Sequence, residues 1–122
     1  GVARGLRDGD PGGGTGVVLV TAAYAAPEML RGKHCDARTD VYALGGSLFR
    51  LLTGKPPFFD AASKDDTVRS HLHRPPPRVT RFAPWLPAQL DDVIGTALAK
   101  DPANRYRTAG DLARAAAAAL PA

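Results

Sequence analysis

The longest run of apolar residues at helical spacing lies near the middle of the chain. From about Asp40 to Thr53, apolar residues recur three and four positions apart, which predicts a helix. Thr39 can cap this helix, and Asp40 lies in the first turn, where an acidic side chain is favoured. Gly54 is expected to end it. Because the helix is apolar nearly all round, we expect it to be the central, buried helix of the fold. Inside it, the pair Gly45–Gly46 predicts a close approach of another backbone.

Three further helices are predicted after this one. Ser63 and Thr108 each stand three residues before an aspartate, a spacing that resembles a capping box. We expect Ser63 to open a helix that runs to about His73, and Thr108 to open one through the alanine run to Ala119. A helix after Pro87 has the clearest period, with Leu90, Val93, Ile94, Ala97 and Leu98 on one face. The predicted fold class is therefore mainly α.

Composition restricts the class of protein further. The chain has 122 residues, the size of one domain, and the Gly-rich stretch from Leu6 to Thr15 predicts a flexible N-terminal loop. No apolar run is long enough to span a membrane, and a single cysteine excludes an internal disulfide. These features indicate a cytoplasmic protein. The net charge is +4, and one acid-free stretch, residues 67–90, is basic between Arg69 and Arg81.

Few residues suggest chemistry on their own. His34, His71 and His73 fall in predicted loops or on a polar helix edge, where solvated histidines are expected. Cys35 lacks the further ligands that a zinc site requires, so no metal site is predicted. The glycines of residues 12–16 fit neither a dinucleotide-binding motif nor a P-loop, which favours a plain flexible loop.

Four short motifs are informative together. They are TAAYAAPE at residues 21–28, TDVYALG at 39–45, LTGKPPF at 52–58 and DPANR at 101–105. In this order and spacing they resemble the C-terminal lobe of a protein kinase of the bacterial Ser/Thr type. Gly1 then matches the glycine of the family's D-F-G motif. The resemblance reaches to about Ala119, and it implies an activation segment over residues 1–30 and a helical subdomain over residues 31–120.

The resemblance assigns structural roles to three charged residues. Glu28 matches the glutamate of the family's A-P-E motif, and Arg105 matches the arginine that pairs with it. This implies a buried ion pair, although a surface glutamate and a surface arginine remain the alternative. Asp40 matches an aspartate that accepts hydrogen bonds from the catalytic loop, while a simple partner of the helix dipole is the alternative.

The resemblance also implies roles in the activation segment. Thr21 matches the threonine that helps to position the substrate hydroxyl in Ser/Thr kinases, and Tyr24 belongs to the same loop. Thr15 lies six residues before Thr21, an offset that resembles the autophosphorylation site of bacterial Ser/Thr kinases; an ordinary loop threonine is the alternative. Val20 stands where the family usually has glycine, which leaves a degenerate kinase open.

The motifs that hold ATP and Mg²⁺ in this family do not occur in the 122 residues. The resemblance therefore implies ATP and Mg²⁺ for the parent kinase and an inactive isolated chain. The implied partners are proteins with Ser or Thr, the N-lobe and catalytic loop of the same domain, and a second kinase copy. A membrane anchor outside the chain stays open. The competing hypotheses are a non-catalytic pseudokinase or interaction module and, less favoured, a nucleic-acid binder that uses Arg69–Arg81.

Overall fold

A computed structural model describes residues 23–120, and within this range every regular element is a helix. A single 3-10 turn at Pro102–Asn104 precedes the last helix. The α-helices are Pro27–Leu30 (α1), Ala37–Thr53 (α2), Lys64–His73 (α3), Val79–Phe82 (α4), Gln89–Ala97 (α5) and Ala109–Ala119 (α6). The mainly α fold class is confirmed, and the two short helices α1 and α4 are additions to it.

The predicted caps of α3 and α6 are confirmed. The Ser63 hydroxyl accepts a hydrogen bond from the backbone N–H of Asp66 at 3.1 Å. The Thr108 hydroxyl accepts one from the N–H of Asp111 at 3.0 Å. Both bonds satisfy a donor that the first helical turn leaves without a partner, so local sequence is enough to fix these two helix starts.

The predicted start of α2 is wrong by three residues. The helix begins at Ala37, and its cap is Asp36, whose carboxylate accepts from the N–H of Arg38 at 2.9 Å. The Thr39 hydroxyl accepts from the N–H of Asp36 at 3.1 Å, which completes a capping box. Because Asp36 and Thr39 are both good capping residues, the local sequence does not decide between them.

Helix α2 lies at the centre and packs against α4, α5 and α6. One buried cluster brings α2 together with α4 and α5, and a second brings it together with α5 and α6. The first contains Ala26, Tyr42, Phe49, Val79, Ile94 and Leu98, and the second contains Val41, Val93, Ala97 and Leu112. Leu44 and Leu51 on α2 are 42% and 83% exposed, so the described residues cover this helix on several sides but not on all.

Close packing explains both glycines in the middle of α2. A Cβ on Gly45 would lie 2.7 Å from the Ala97 Cβ on α5, and a Cβ on Gly46 would lie 3.1 Å from the Tyr24 ring. The predicted close approach is therefore confirmed at Gly45. Gly54, at φ +80°, ends the helix in the left-handed conformation that favours glycine.

Several predictions fall on residues that the structure does not describe. Gly1, Thr15, Val20 and Thr21 all lie outside residues 23–120, so their assigned roles stay predictions. Within the described range, none of the helices has the length and apolar character needed to cross a bilayer.

Candidate functional site: a buried ion pair that anchors the first helix

A buried ion pair joins the first and last parts of the described chain. Glu28 lies in the first turn of α1, where Pro27 starts the helix, and Arg105 follows the 3-10 turn. Arg105 Nη1 lies 2.6 Å from Glu28 Oε2, and Nη2 lies 2.8 Å from Oε1. The two groups thus meet side by side with two parallel hydrogen bonds, across 77 residues of sequence. The contact expected between Glu28 and Arg105 is present and buried.

All five N–H donors of Arg105 have acceptors. Besides the two bonds to Glu28, Nε donates to the carbonyl of Ala99 at 2.8 Å, Nη1 to that of Arg38 at 3.0 Å, and Nη2 to that of Lys100 at 3.2 Å. The guanidinium carbon also lies 4.9 Å from the centre of the Tyr42 ring. Because a buried charge is costly unless fully paired, this saturation allows the arginine side chain to be completely buried.

Thr39 is a third member of this cluster, and sequence reasoning missed it. Its hydroxyl donates to Glu28 Oε2 at 2.7 Å while accepting from the backbone of Asp36. Burial opposes ionisation of Glu28, but the hydrogen bonds from Arg105 and Thr39 outweigh it and hold the pKa of Glu28 below its usual value. The cluster therefore ties the start of α2 to α1 and keeps the carboxylate charged.

The prediction for His71 is wrong, because this residue is fully buried. Its Nδ1 lies 2.7 Å from the Tyr42 hydroxyl, and its Nε2 lies 3.0 Å from the carbonyl of Ala23. Its ring also packs edge-on against Phe58. These partners lie far away in sequence, so a helical period within α3 could not reveal them. His71 links α2 and α3 to the segment that leads into α1.

Burial of the tyrosine has an electrostatic consequence. Desolvation raises the pKa of Tyr42 well above its usual value, and the positive charge of Arg105 counters this only in part. The phenol therefore stays protonated and able to donate a hydrogen bond at physiological pH.

Tyr24 is held at the edge of the same region. Its hydroxyl accepts a hydrogen bond from Arg50 Nη1 at 2.9 Å, and its ring packs against Gly46 of α2. The side chain is half-buried, so part of it is held against α2 and part of it faces solvent. The structure thus places Tyr24 against the central helix, close to the start of the described residues.

The remaining sequence candidates within residues 23–120 lie at the surface. Asp40 is exposed in the first turn of α2, the position that suits a helix-dipole partner. His34 and Cys35 are exposed as well, and Cys35 Sγ donates to the carbonyl of Lys33. No group of three or more His, Cys, Asp or Glu side chains that could hold a metal ion occurs within residues 23–120.

Lys100 lies beside the ion pair without joining it. Its ammonium donates to the carbonyl of Ser70 at 3.1 Å and lies 5.1 Å from the centre of the Phe58 ring. Burial, together with the positive charges of Arg105 and Arg74, lowers the pKa of Lys100 to about 8. The amine thus connects the end of α5 to α3 at an electrostatic cost.

Comparison with known proteins agrees with this geometry. The family model described as the protein kinase domain matches residues 1–115. The chain therefore belongs to the protein kinase family, and its described part is the helical C-terminal lobe of that domain. The resemblance inferred from the four motifs is confirmed.

Two named relatives with clear similarity to the chain are bacterial serine/threonine-protein kinases. The chain is 54% identical over 122 residues to the serine/threonine-protein kinase PknJ of Mycobacterium tuberculosis, covering 98% of the chain and 20% of PknJ. It is 42% identical over 113 residues to PknB of Mycolicibacterium smegmatis, covering 92% of the chain and 18% of PknB. The chain thus spans about a fifth of the length of these relatives.

A solved structure supports the fold directly. The kinase domain of Mycobacterium tuberculosis PknI superposes with a TM-score of 0.64 at 33% identity. The match covers 80% of this chain and 34% of the PknI chain.

Proposed function

We propose that the protein containing this chain is an ATP-dependent Ser/Thr protein kinase, which transfers the γ-phosphate of ATP to Ser or Thr hydroxyls of protein substrates. The observation that carries the proposal is the identity of 54% with PknJ along nearly the whole chain. In this proposal, the chain contributes the activation segment, part of the substrate-binding surface and the helical scaffold. The kinase acts in the cytoplasm, with any membrane anchor outside these residues.

The buried cluster supports a scaffolding role for the chain. Glu28 and Arg105 hold α1 against the last helices, and α1 directly follows the loop that contains Tyr24. Tyr24 is fixed in turn by its hydrogen bond with Arg50 and by the close approach of its ring to Gly46. A substrate-positioning loop needs such rigid support, because small displacements of reacting groups slow catalysis strongly.

Two threonines outside the described residues complete the proposal. Thr21 contacts the catalytic groups of the kinase and positions the substrate hydroxyl. Thr15 is phosphorylated, and the added charge orders the activation segment by pairing with an arginine elsewhere in the kinase domain. Asp40 accepts hydrogen bonds from the backbone of the catalytic loop.

The residues of this chain do not fit an ATP or Mg²⁺ site. Its sequence contains no family Gly-rich loop over phosphate, no H-R-D motif and no complete D-F-G motif. We therefore propose that residues 1–122 alone neither bind Mg–ATP nor transfer phosphate, and that the other half of the domain supplies these groups. A second kinase copy is the proposed partner for phosphorylation of Thr15.

A phosphate-transfer assay tests the proposal. The protein that contains this chain is incubated with Mg²⁺ and radiolabelled ATP, with a generic acceptor protein, and residues 1–122 alone serve as the comparison. We expect labelled phosphoserine or phosphothreonine only with the longer protein, and phosphate on Thr15 by mass spectrometry. Label transferred by the isolated chain would contradict the inactivity proposed for it.

The alternative is a non-catalytic pseudokinase or interaction module. Val20 favours it, because a β-branched residue stands directly before Thr21 where the family usually has glycine. The sequence upstream of Gly1 distinguishes the enzyme from the pseudokinase. Asp-Phe directly before Gly1 and an H-R-D motif further upstream favour the enzyme. Absence of phosphate transfer and of Mg–ATP binding by the longer protein would establish the alternative.

A further inference from the structure

A groove on the described surface has an aromatic floor. It lies where the C-terminal half of α2 meets α4 and encloses about 230 Å³. Phe82 contacts Phe49 and Phe59 edge-to-face, with ring centres 6.0 and 5.4 Å apart. The three prolines of residues 75–77 form one wall. Phe59 is 43% exposed, so a large aromatic surface faces solvent in the groove.

Three arginines surround this floor: Arg74, Arg78 and Arg81. Asp60 is the one carboxylate among the described residues that line the groove, and it pairs with Arg74 at 3.0 Å. Arg78 lies 3.5 Å from Asp91 but is 75% exposed. Among residues 23–120, no carboxylate forms an ion pair with Arg81. The groove is therefore electropositive, with at least one guanidinium available to a partner.

The free cations are held over the aromatic rings. The guanidinium carbon of Arg81 lies 5.5 Å from the centre of the Phe82 ring, and Lys55 Nζ lies 4.7 Å from that of Phe59. Cation–π contacts orient these side chains while leaving their N–H donors exposed. The aromatic floor of the groove and the exposed cations above it therefore lie within a single site.

We infer that this groove binds an acidic peptide segment of a partner protein, with one large apolar side chain of the segment inserted against Phe59 and Phe82. Asp or Glu residues beside that anchor pair with Arg81 and Arg78, since a guanidinium matches a carboxylate with two parallel hydrogen bonds. The inference goes beyond the proposed kinase activity, because binding here requires no phosphate transfer.

The size and wall of the groove favour a peptide anchor over other ligands. Its volume lies below the roughly 300 Å³ at the lower end of drug-sized ligand sites, so it suits a single side chain. The prolines have no N–H to donate, so their wall offers an apolar surface, and the arginines are the charged donors that line the groove. Tyr24 is not among the residues that line it, so the groove is separate from that part of the substrate-positioning loop.

Fluorescence anisotropy on the full chain tests the inference. The probe is a labelled peptide of about eight residues in which Asp and Glu surround one Phe. Matched peptides replace the Phe by Ala, or the acids by Asn and Gln. Arg81→Glu is compared with Arg107→Glu, an exposed arginine outside the groove with the same change of charge. Circular dichroism confirms that both variants keep the helical content of the wild type.

We expect saturable binding that Arg81→Glu weakens by about tenfold or more, while Arg107→Glu leaves it within about twofold. Both altered peptides bind weakly, and a peptide with Lys in place of the acids binds Arg81→Glu better than wild type. Equal loss in the two variants would show non-specific attraction of charges and overturn the inference. So would binding that is indifferent to the Phe, no binding by the wild type, or preference for a single-stranded oligonucleotide over the peptide. Because no ATP is present, these outcomes are independent of the kinase proposal.

Discussion

Two charged regions of this lobe use arginine in opposite ways. Arg105 is fully buried, and each of its N–H donors has a fixed acceptor within the chain. The arginines of the aromatic groove are exposed and have one lining carboxylate among the three of them. A saturated buried arginine has no donor left for a partner, and its loss is felt in stability. An exposed, incompletely paired arginine contributes little to stability and is available for binding.

The largest effect is expected from removing the buried arginine. Arg105→Ala leaves Glu28 buried without its cation, and we expect the free energy of unfolding to fall by about 3–5 kcal/mol. Urea denaturation measures this change. Arg107→Ala, which removes an exposed arginine two residues away, is the control and should change stability by less than about 0.5 kcal/mol. Similar losses in the two variants would mean that the pair is not structural.

The next largest loss of stability is expected from removing the Tyr42 hydroxyl. Tyr42→Phe deletes the partner of His71 Nδ1 in a fully buried site, so we expect a loss of about 1–3 kcal/mol. Thermal or urea unfolding measures it. Tyr24→Phe also removes a tyrosine hydroxyl, but one whose hydrogen bond to Arg50 is exposed, so it should cost less. The reverse order would contradict the buried hydrogen bond.

A comparable loss is expected at the crossing of α2 and α5. Gly45→Ala places a methyl group 2.7 Å from the Ala97 Cβ, and overpacking of this kind costs about 1–3 kcal/mol. Gly95→Ala is the matched control, because nothing lies within 4 Å of its added methyl group. Alanine is also the better helix former, so this control should stabilise the chain by up to about 1 kcal/mol. Equal losses of stability in Gly45→Ala and Gly95→Ala would contradict a close contact between α2 and α5 at Gly45.

Acid should weaken the buried cluster, because it protonates Glu28. The folded-state pKa of Glu28 lies below its unfolded value, so its contribution is complete above that unfolded value, near 4.5. It is lost as the pH falls through the lower, folded-state pKa. Unfolding free energies measured from pH 6 to pH 3 should fall with pH, and Glu28→Gln should reduce this slope. An unchanged slope in Glu28→Gln would show that Glu28 does not titrate with folding.

The smallest effect on stability is expected in the groove. Arg81→Glu should change the free energy of unfolding by less than about 0.5 kcal/mol, because the guanidinium is exposed and forms no ion pair within residues 23–120. A loss near that of Arg105→Ala would erase the difference between the two regions.

Local rules predicted the parts of the fold that depend on neighbours in sequence. Ser63 and Thr108 cap their helices through bonds that span three residues, and the apolar face of α5 is buried as its period indicates. Asp36 and Thr39 show where these local rules fail to predict a helix start. Both can cap α2, and the choice couples to the bond from Thr39 to Glu28, which exists only in the folded chain.

The candidate site likewise has one part that the sequence predicted and other parts that it did not. The pairing of Glu28 with Arg105 was accessible because four motifs together resemble a known family, although no periodicity links the two residues. His71 carried no such signal, since the groups that bury it come from Tyr42 and Ala23 in other segments. The groove was visible only as an acid-free stretch, because its aromatic floor assembles from distant parts of the chain.

A double-mutant cycle on Glu28→Gln and Arg105→Met tests the central contact most directly. Urea unfolding of the wild type, both single variants and the double variant gives the interaction energy between the two side chains. We predict that the double variant loses less stability than the sum of the single losses, by at least about 1 kcal/mol. Losses that add to within about 0.5 kcal/mol would show that the two groups act independently, and would contradict an ion pair that holds the lobe together.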